Sequence, residues 1–180
     1  MTLAFSILLS LVLLLALVLL GLYAAGVQMP REHHSRVVVT LPASRTSVWA
    51  AITDYTAMPA WWPAVKAVRT ETLADGTLLT WNTDRHGKEI PFRTSESRPL
   101  EKLVRVLAKE QLPFGGTWSF ELADAPDGCT QLTLTEDGFI NPPVFRVLAK
   151  WFFGVETTQR DFLAHLEKQL AAAKGRSARP

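Results

Sequence analysis

Two glutamates in this chain of 180 residues combine an ionisable side chain with a position in an apolar strand pattern. Glu96 shares strand parity with Phe92, and Glu136 shares it with Leu134, so alternation places both carboxyl groups on the apolar face. A carboxyl group held there has a raised pKa and can act as a general acid or base in a cyclisation or dehydration. Alternatively, both lie near strand ends where the carboxylates reach water, and Arg98 pairs with Glu96. Glu96 and Glu136 are therefore the candidate catalytic residues.

Large apolar side chains form a second candidate set, because aromatic walls suit a flat or long hydrocarbon ligand. Strand parity and helical spacing direct them toward one interior, which Val104, Val106 and Ala108 are expected to complete. The alternative is ordinary core packing, since a domain of this size needs large apolar side chains in any case. The candidate ligand-binding residues are Trp49, Trp61, Trp62, Trp81, Phe92, Trp118, Phe120, Leu134, Trp151 and Phe152.

Trp61 and Trp62 are adjacent and lie between Pro59 and Pro63. Neighbouring side chains on a regular element point in different directions. We therefore expect at least one of the two tryptophans to line an entrance or to touch a membrane interface, where tryptophan is favoured.

Other chemistries have little support in this sequence. None of the four histidines has metal-ligand spacing to another His, Cys or acidic residue, so no metal site is predicted, and no cofactor motif is present. Cys129 is the only cysteine, which excludes an intramolecular disulfide. The net charge of +2 without a basic stripe argues against a nucleic-acid partner.

The N-terminal residues 1–27 contain no charged side chain and are almost entirely apolar. As a helix, residues 3–25 would span roughly 35 Å, against about 30 Å of hydrocarbon in a bilayer. We predict a transmembrane helix over residues 1–27 that contacts lipid through residues 3–25. A cleaved signal peptide is the alternative, favoured by the small residues Ala24, Ala25 and Gly26 but opposed by the length of the run.

Positive charges follow the apolar run closely, as Arg31, Arg36 and Arg45, and none precedes it. The asymmetry predicts a single-pass membrane protein with a short outside N-terminus and a cytoplasmic soluble domain. The initiator amine adds a positive charge on the other side, so a periplasmic domain remains the alternative.

The first part of the soluble chain reads as a connector followed by a strand and helices. Residues 28–36 are predicted to form a polar connector, and the β-branched residues 37–41 a strand. Ser44 offers an N-cap for a helix over residues 45–53, and residues 54–62 form a second short helix or a structured turn.

Alternating patterns and turn residues predict six antiparallel strands between residues 65 and 137, with Asp75-Gly76 as one hairpin turn. Apolar residues at helical spacing from Val144 to Leu170 then predict one long amphipathic helix, and residues 174–180 a basic tail. The expected fold over residues 37–173 is α+β, with a curved seven-stranded antiparallel sheet wrapped on the C-terminal helix. Because a curved sheet and a helix diverge away from their line of contact, this architecture tends to leave an apolar cavity.

Several segments resemble the START-like (SRPBCC) helix-grip superfamily, especially its polyketide cyclase/dehydrase and lipid-transport branch. Residues 38–55, VVTLPASRTSVWAAITDY, look like the opening strand and helix of that superfamily. Residues 58–65 resemble its proline- and tryptophan-containing segment, and the junction at residues 138–143 and the terminal helix also agree. The resemblance covers about residues 35–173. It implies a cavity for lipids, sterols, polyketides, quinones or plant hormones, and a catalysed reaction in only some members.

Three functions agree with these features. The first is membrane-anchored binding of a hydrophobic small molecule, such as a lipid, a quinone or a similar amphiphile. The second is a cyclase or dehydratase of the polyketide type that uses a cavity carboxylate. The third is a non-catalytic interaction module whose interior is a filled core.

Overall fold

The computed structural model describes residues 2–108, 112–154 and 156–177. The helices and strands are, in chain order, α1 (Thr2–Val27), β1 (Glu32–Leu41), α2 (Arg45–Thr53), a 3₁₀ turn (Tyr55–Ala57), α3 (Met58–Trp61), β2 (Val65–Thr72), β3 (Leu78–Asp84), β4 (Glu89–Arg98), β5 (Lys102–Leu107), β6 (Phe114–Asp124), a second 3₁₀ turn (Pro126–Gly128), β7 (Thr130–Ile140), α4 (Pro143–Leu148), a π-helical turn (Ala149–Phe153) and α5 (Thr157–Ser177).

The seven strands form one antiparallel sheet in the order β1-β7-β6-β5-β4-β3-β2. Strands β2 to β7 pair with their neighbours in sequence, and β1 joins the sheet by pairing with β7. At the predicted Asp75-Gly76 turn, the Asp75 carboxylate accepts a hydrogen bond from the Thr77 amide at 2.9 Å, and Gly76 has a φ of 82°. Glycine adopts this left-handed conformation without steric cost. The structure therefore confirms the predicted curved sheet and the helix-grip arrangement.

Helix α2 forms where the sequence predicts it. The hydroxyl of Ser44 accepts a hydrogen bond from the amide of Ser47 at 3.3 Å, which satisfies one of the free N–H groups of the first turn. Val48 and Ile52 lie one turn apart on α2, and both are buried in the hydrophobic core. The helix thereby closes one end of the core.

The hydrophobic core lies between the sheet and α5. Phe162, Leu163, Leu166 and Leu170 repeat at helical spacing along α5 and are all nearly inaccessible to solvent. They pack with buried side chains of α2, α3 and the inner face of the sheet. Burial of this apolar surface is the main stabilising contribution to the fold.

Strand β1 begins at Glu32, five residues earlier than the predicted start at Val37, so the expected connector over residues 28–36 is mostly strand. The added segment is held by a buried side-chain contact, in which the Ser35 hydroxyl donates to Oε1 of Gln159 at 2.7 Å. The Gln159 amide donates in turn to the carbonyl of Leu134 at 3.2 Å. The polar composition of this segment predicted a connector. Its buried partner Gln159 could not enter that prediction, because it lies more than a hundred residues away in the sequence.

The prediction of a single long C-terminal helix, which was based on the apolar spacing, is wrong. Helix α4 ends at Leu148, a π-helical turn follows, and Gly154 then reverses the backbone with a φ of 74° and a ψ of 136°. A separate helix, α5, begins at Thr157 and runs to Ser177, through part of the predicted tail. The apolar pattern continues through the break because α4 packs against α1 whereas α5 packs against the sheet.

Helix α1 is long enough and apolar enough to cross a membrane, with a mean hydropathy of 3.1 over its most apolar window. Its large apolar side chains are exposed along nearly the whole helix. The buried position is Gly26, whose Cα faces the backbone of Pro143 at the start of α4. Length and composition agree with a membrane span or a signal sequence.

Candidate functional site

A cavity of about 320 Å³ lies between the inner face of the sheet and the start of α5. This volume is at the lower end of the range of small-molecule pockets. The walls are mainly apolar, and the polar side chains among them belong to Asn82, Asp84, Arg105, Glu136 and Thr158. The apolar and aromatic lining residues are Ile52, Met58, Trp62, Ala64, Val65, Ile90, Phe92, Leu107, Phe114, Trp118, Phe120 and Phe162.

Aromatic rings form a packed cluster around Phe162 at one wall of the cavity. The ring centroids of Trp62 and Trp118 lie 5.0 Å and 5.7 Å from that of Phe162, in edge-to-face arrangements. The indole N–H of Trp62 donates to Oδ2 of Asp161 at 2.8 Å, which fixes the ring against α5. A wall of this kind has a definite shape, because edge-to-face contacts restrict the orientation of each ring.

Arg105 brings a positive charge into the apolar wall. Its side chain is 8% exposed, and the guanidinium carbon lies 4.4 Å from the ring centroid of Tyr55 and 4.8 Å from that of Phe92. Nη2 donates to the hydroxyl of Thr80, whereas Nε has no hydrogen-bond partner among the described residues. None of the described carboxylates forms an ion pair with it. Burial lowers the pKa of Arg105 to about 10, so the group is still cationic at neutral pH.

Glu136 is the cavity's candidate acid–base group. Burial raises the pKa of the Glu136 carboxyl, and the nearby His33 and Trp118 side chains oppose that rise. Oε1 lies 3.5 Å from Nε2 of His33, while Oε2 has no hydrogen-bond partner among the described residues. His33 also lines a groove that opens to solvent beside Gly115 and Gly116. The pair therefore connects the cavity wall with the protein surface.

The structure brings five of the predicted site residues together at the cavity, namely Trp62, Phe92, Trp118, Phe120 and Glu136. Trp61 and Leu134 are buried in the core beside it, and the cavity wall does not include them. Trp49 packs on the edge of the core and lines a separate surface groove. Trp151 is 69% exposed, and the side chain of Phe152 lies outside the described part of the chain.

The expectation that Trp61 and Trp62 cannot both point inward is wrong. Both are 8% exposed, because α3 ends at Trp61 and Trp62 has extended backbone angles of −115° and 98°. The change of backbone conformation between the two residues rotates the second side chain back toward α5. Trp61 then packs against Phe162 with ring centroids 5.4 Å apart.

Glu96 lies away from the cavity, at the other end of β4. Oε1 accepts from Arg98 at 3.0 Å, as the sequence alternative expected, and Oε2 lies 2.9 Å from Nζ of Lys102. The hydrogen bond from Lys102 lowers the pKa of this carboxyl despite some desolvation, and the charge of Arg98 acts in the same direction. A β-bulge between Thr94 and Glu96 also breaks the alternation on which its inward placement was based.

Two strands have their polar residues inside. On β3, Thr80 and Asn82 are buried, whereas Trp81 lies on the outer face under the guanidinium of Arg69, 4.6 Å from the ring centroid. On β5 the cavity wall is formed by Arg105 and Leu107, and the predicted set of Val104, Val106 and Ala108 has the opposite parity. Both errors come from the rule that the apolar side of a strand faces inward.

Sequence reasoning missed Arg105, Asn82 and His33 at this site. Arg105 and Asn82 were not among the predicted site residues because the cavity wall was predicted from apolar side chains, and His33 was placed in the polar connector. A weak signal existed at Arg105, since Leu103, Val104, Val106 and Leu107 around it are apolar on both strand faces. Among the described residues, no three His, Cys, Asp or Glu side chains converge as metal ligands would.

Solved structures with this architecture come from several kinds of protein. The Zhui aromatase/cyclase from Streptomyces sp. R1128 is 13% identical, with a TM-score of 0.59, over 76% of this chain and 93% of that one. A START superfamily protein from Mycobacterium smegmatis is 20% identical, with a TM-score of 0.59, over 78% of this chain and 99% of that one. Norcoclaurine synthase from Thalictrum flavum is 9% identical, with a TM-score of 0.61, over 79% and 96%. At these identities the likeness establishes the fold alone.

Sequence comparison with curated proteins finds no match. The family described as polyketide cyclase / dehydrase and lipid transport matches residues 32–171, which is almost the whole domain after α1. This range begins at the observed start of β1 and ends within α5. The chain therefore belongs to the polyketide cyclase/dehydrase and lipid transport family of the START-like superfamily.

Proposed function

We propose that this protein is anchored in a membrane by α1 and binds a hydrophobic small molecule in the cavity beneath α5. The observation that carries the proposal is an apolar cavity containing a buried cation, Arg105, for which no described residue supplies a counter-ion. Burying an unpaired charge costs free energy, which a ligand can recover by supplying the missing anionic or acceptor group. The ligand class is therefore an amphiphile with a hydrocarbon or ring body and an anionic or carbonyl end.

The size of the cavity disfavours the filled-core alternative. A volume of about 320 Å³ is several times the roughly 30 Å³ that one water occupies in the liquid. Most of the wall is aromatic or aliphatic, so water inside it would have few hydrogen-bond partners. A hydrocarbon body fits these surroundings better than water does.

Native mass spectrometry of the full chain released from detergent micelles tests occupancy, with hexadecanoic acid and its methyl ester as probes. Thr158 lines the cavity from the exposed start of α5, so Thr158→Trp should block the opening and abolish retention of both probes. Lys168→Trp adds the same side chain to an exposed position of α5 away from the cavity and should behave like the wild type. Equal retention in Thr158→Trp and the wild type would overturn the proposal.

The same measurement tests the role of Arg105. We expect the wild type to retain the acid more strongly than the ester, and Arg105→Met to lose that preference by roughly 10- to 100-fold, the usual value of a hydrogen bond to a charged group. Arg69→Met is the matched control, because Arg69 also stacks on an aromatic ring but lies on the outer face. An unchanged preference in Arg105→Met would remove this residue from the binding site.

A cyclase or dehydratase activity is the second candidate, favoured by the raised pKa of the Glu136 carboxyl inside the cavity. In this role the carboxylate takes a proton from the carbon next to a ketone, and the protonated form later returns a proton to the departing hydroxyl. With a linear poly-β-keto thioester as probe, Glu136→Gln should lower turnover by about 10²-fold or more, while Glu96→Gln should not. Unaltered turnover in Glu136→Gln would exclude this mechanism.

A further inference from the structure

Arg146 joins the apolar helix α1 to the soluble domain through main-chain contacts. Its guanidinium is 8% exposed and donates from Nη1 to the carbonyls of Gly26 and Met29, at 3.1 Å and 3.3 Å. It also donates to the carbonyl of Ile140 from Nε at 2.7 Å and to that of Asn141 from Nη2. One side chain thus satisfies carbonyl groups at the end of α1, in the following turn and at the end of β7.

The packing at this junction is close as well as polar. A Cβ atom added to Gly26 would lie 2.0 Å from the carbonyl oxygen of Pro143, far inside van der Waals contact. Only glycine therefore allows α4 to approach α1 at this point. A Cβ atom added to Gly21, one and a half turns earlier, meets no atom within 4 Å. The direction of α1 is consequently fixed relative to the domain.

The segment that this junction holds beside α1 exposes aromatic side chains. Phe145 on α4 is 61% exposed, and Trp151 in the π-helical turn is 69% exposed. Nζ of Lys150 lies 5.9 Å from the ring centroid of Trp151. Tryptophan beside a lysine, next to the end of an apolar span, is the composition that occurs at the headgroup level of membranes.

The cavity opens at the same end of the molecule. Phe114, on its rim, is 42% exposed and pairs across the sheet with Ile140, whose carbonyl accepts from Arg146. Thr158, also on the rim, is the second residue of α5, the helix that follows the π-helical turn. The rim, α4 and the end of α1 are therefore neighbours.

We infer that residues 143–151 form a membrane-docking face, which Arg146 and Gly26 hold against the bilayer interface so that the rim of the cavity meets the lipid headgroups. The inference rests on the proposed membrane span of α1. Its partner is the lipid bilayer itself. The continuity of the exposed aromatic residues with the apolar span identifies that partner. A ligand would then exchange with the membrane without crossing water.

Site-directed spin labelling of the full chain in phosphatidylcholine–phosphatidylglycerol vesicles measures the depth of this face. In a Cys129→Ser background, labels at Phe145→Cys and Trp151→Cys should be more accessible to oxygen than to a water-soluble nickel complex. A label at Gln131→Cys, at the opposite end of β7, should show aqueous accessibility. Aqueous accessibility at both positions 145 and 151 would overturn the inference.

A pair of glycine variants separates orientation from anchoring. Gly26→Leu keeps α1 apolar but displaces α4, so the label at position 151 should become aqueous while the chain remains in the vesicles. Gly21→Leu makes the same change where there is space and should leave the depth unaltered. Equal depths in the two variants would show that the junction does not set the orientation. If neither variant remains bound to the vesicles, the proposed membrane span is refuted. The depth and binding measurements require no ligand.

Discussion

Two buried arginines, Arg105 and Arg146, have the same exposed fraction, 8%, but very different surroundings. Arg146 donates to four backbone carbonyls, so its charge is solvated by dipoles and its role is to hold elements together. Among the described residues, Arg105 has one hydroxyl and two ring faces as partners. Rings and a hydroxyl compensate a guanidinium less completely than carbonyls do, which supports the proposed role of Arg105 in binding the polar end of a ligand.

Glu136 also makes the folded chain sensitive to pH at the level of a single residue. Its folded-state pKa is above the ordinary value of 4.5, so the folded state binds the proton more tightly than the unfolded state does. Stability therefore falls as pH rises from about 4.5 through the folded-state pKa. The glutamine in the Glu136→Gln variant cannot ionise. The melting temperature of the variant should therefore rise relative to that of the wild type as the pH increases over that interval.

Glu96→Gln is the control for this measurement, because the two carboxyl groups have shifts of opposite sign. The lowered pKa of Glu96 stabilises the fold above pH 4.5, and that contribution is lost as pH falls. Glu96→Gln should therefore melt slightly below the wild type at pH 7 and approach it in acid. Thermal unfolding followed by fluorescence between pH 4 and pH 8 compares the three proteins. A Glu136→Gln curve parallel to the wild type would contradict the raised pKa.

At the scale of elements, the sequence was sufficient for most of the sheet. Alternation and the Asp75-Gly76 turn predicted the six consecutive strands, and Ser44 predicted the start of α2. These signals are local, because a hairpin turn or an N-cap depends on residues close in the chain. The predicted order of strands and helices was therefore confirmed up to the end of β7, together with the α+β fold.

The errors occur where distant parts of the chain decide the outcome. Polar residues of β3 and β5 face inward because they line the cavity, so a rule based on a dry core assigns Trp81 and Arg105 to the wrong faces. The helix break at Gly154 was missed because the apolar pattern continues across it. The part of the pattern on α4 packs against α1, and the part on α5 packs against the sheet. Departures of this kind concentrate at functional sites, where local rules and the overall fold disagree.

At the scale of the whole molecule, the cavity and the apolar helix belong to one continuous structure. Arg146 connects α1 with the end of β7, and β7 carries Glu136 in the cavity wall. Removal of α1 would delete the Gly26 carbonyl that accepts from Arg146 and would leave the Met29 carbonyl close to a free chain end. This dependence favours a retained α1 over a cleaved signal peptide. The arginines that follow α1 favour a cytoplasmic domain.

Both expectations can be checked on the full chain expressed in a bacterium with an inner membrane. We expect the protein to stay in the membrane fraction after an alkaline carbonate wash and to have the intact mass of a chain that includes α1. Trypsin added to spheroplasts should leave the domain uncut, although Lys174 offers an exposed site on α5, whereas trypsin added to inverted vesicles should cleave it. A soluble product lacking about 25 residues would establish a signal peptide. Cleavage in spheroplasts but not in inverted vesicles would place the domain outside the cytoplasm, which would contradict the orientation predicted from the arginines after α1.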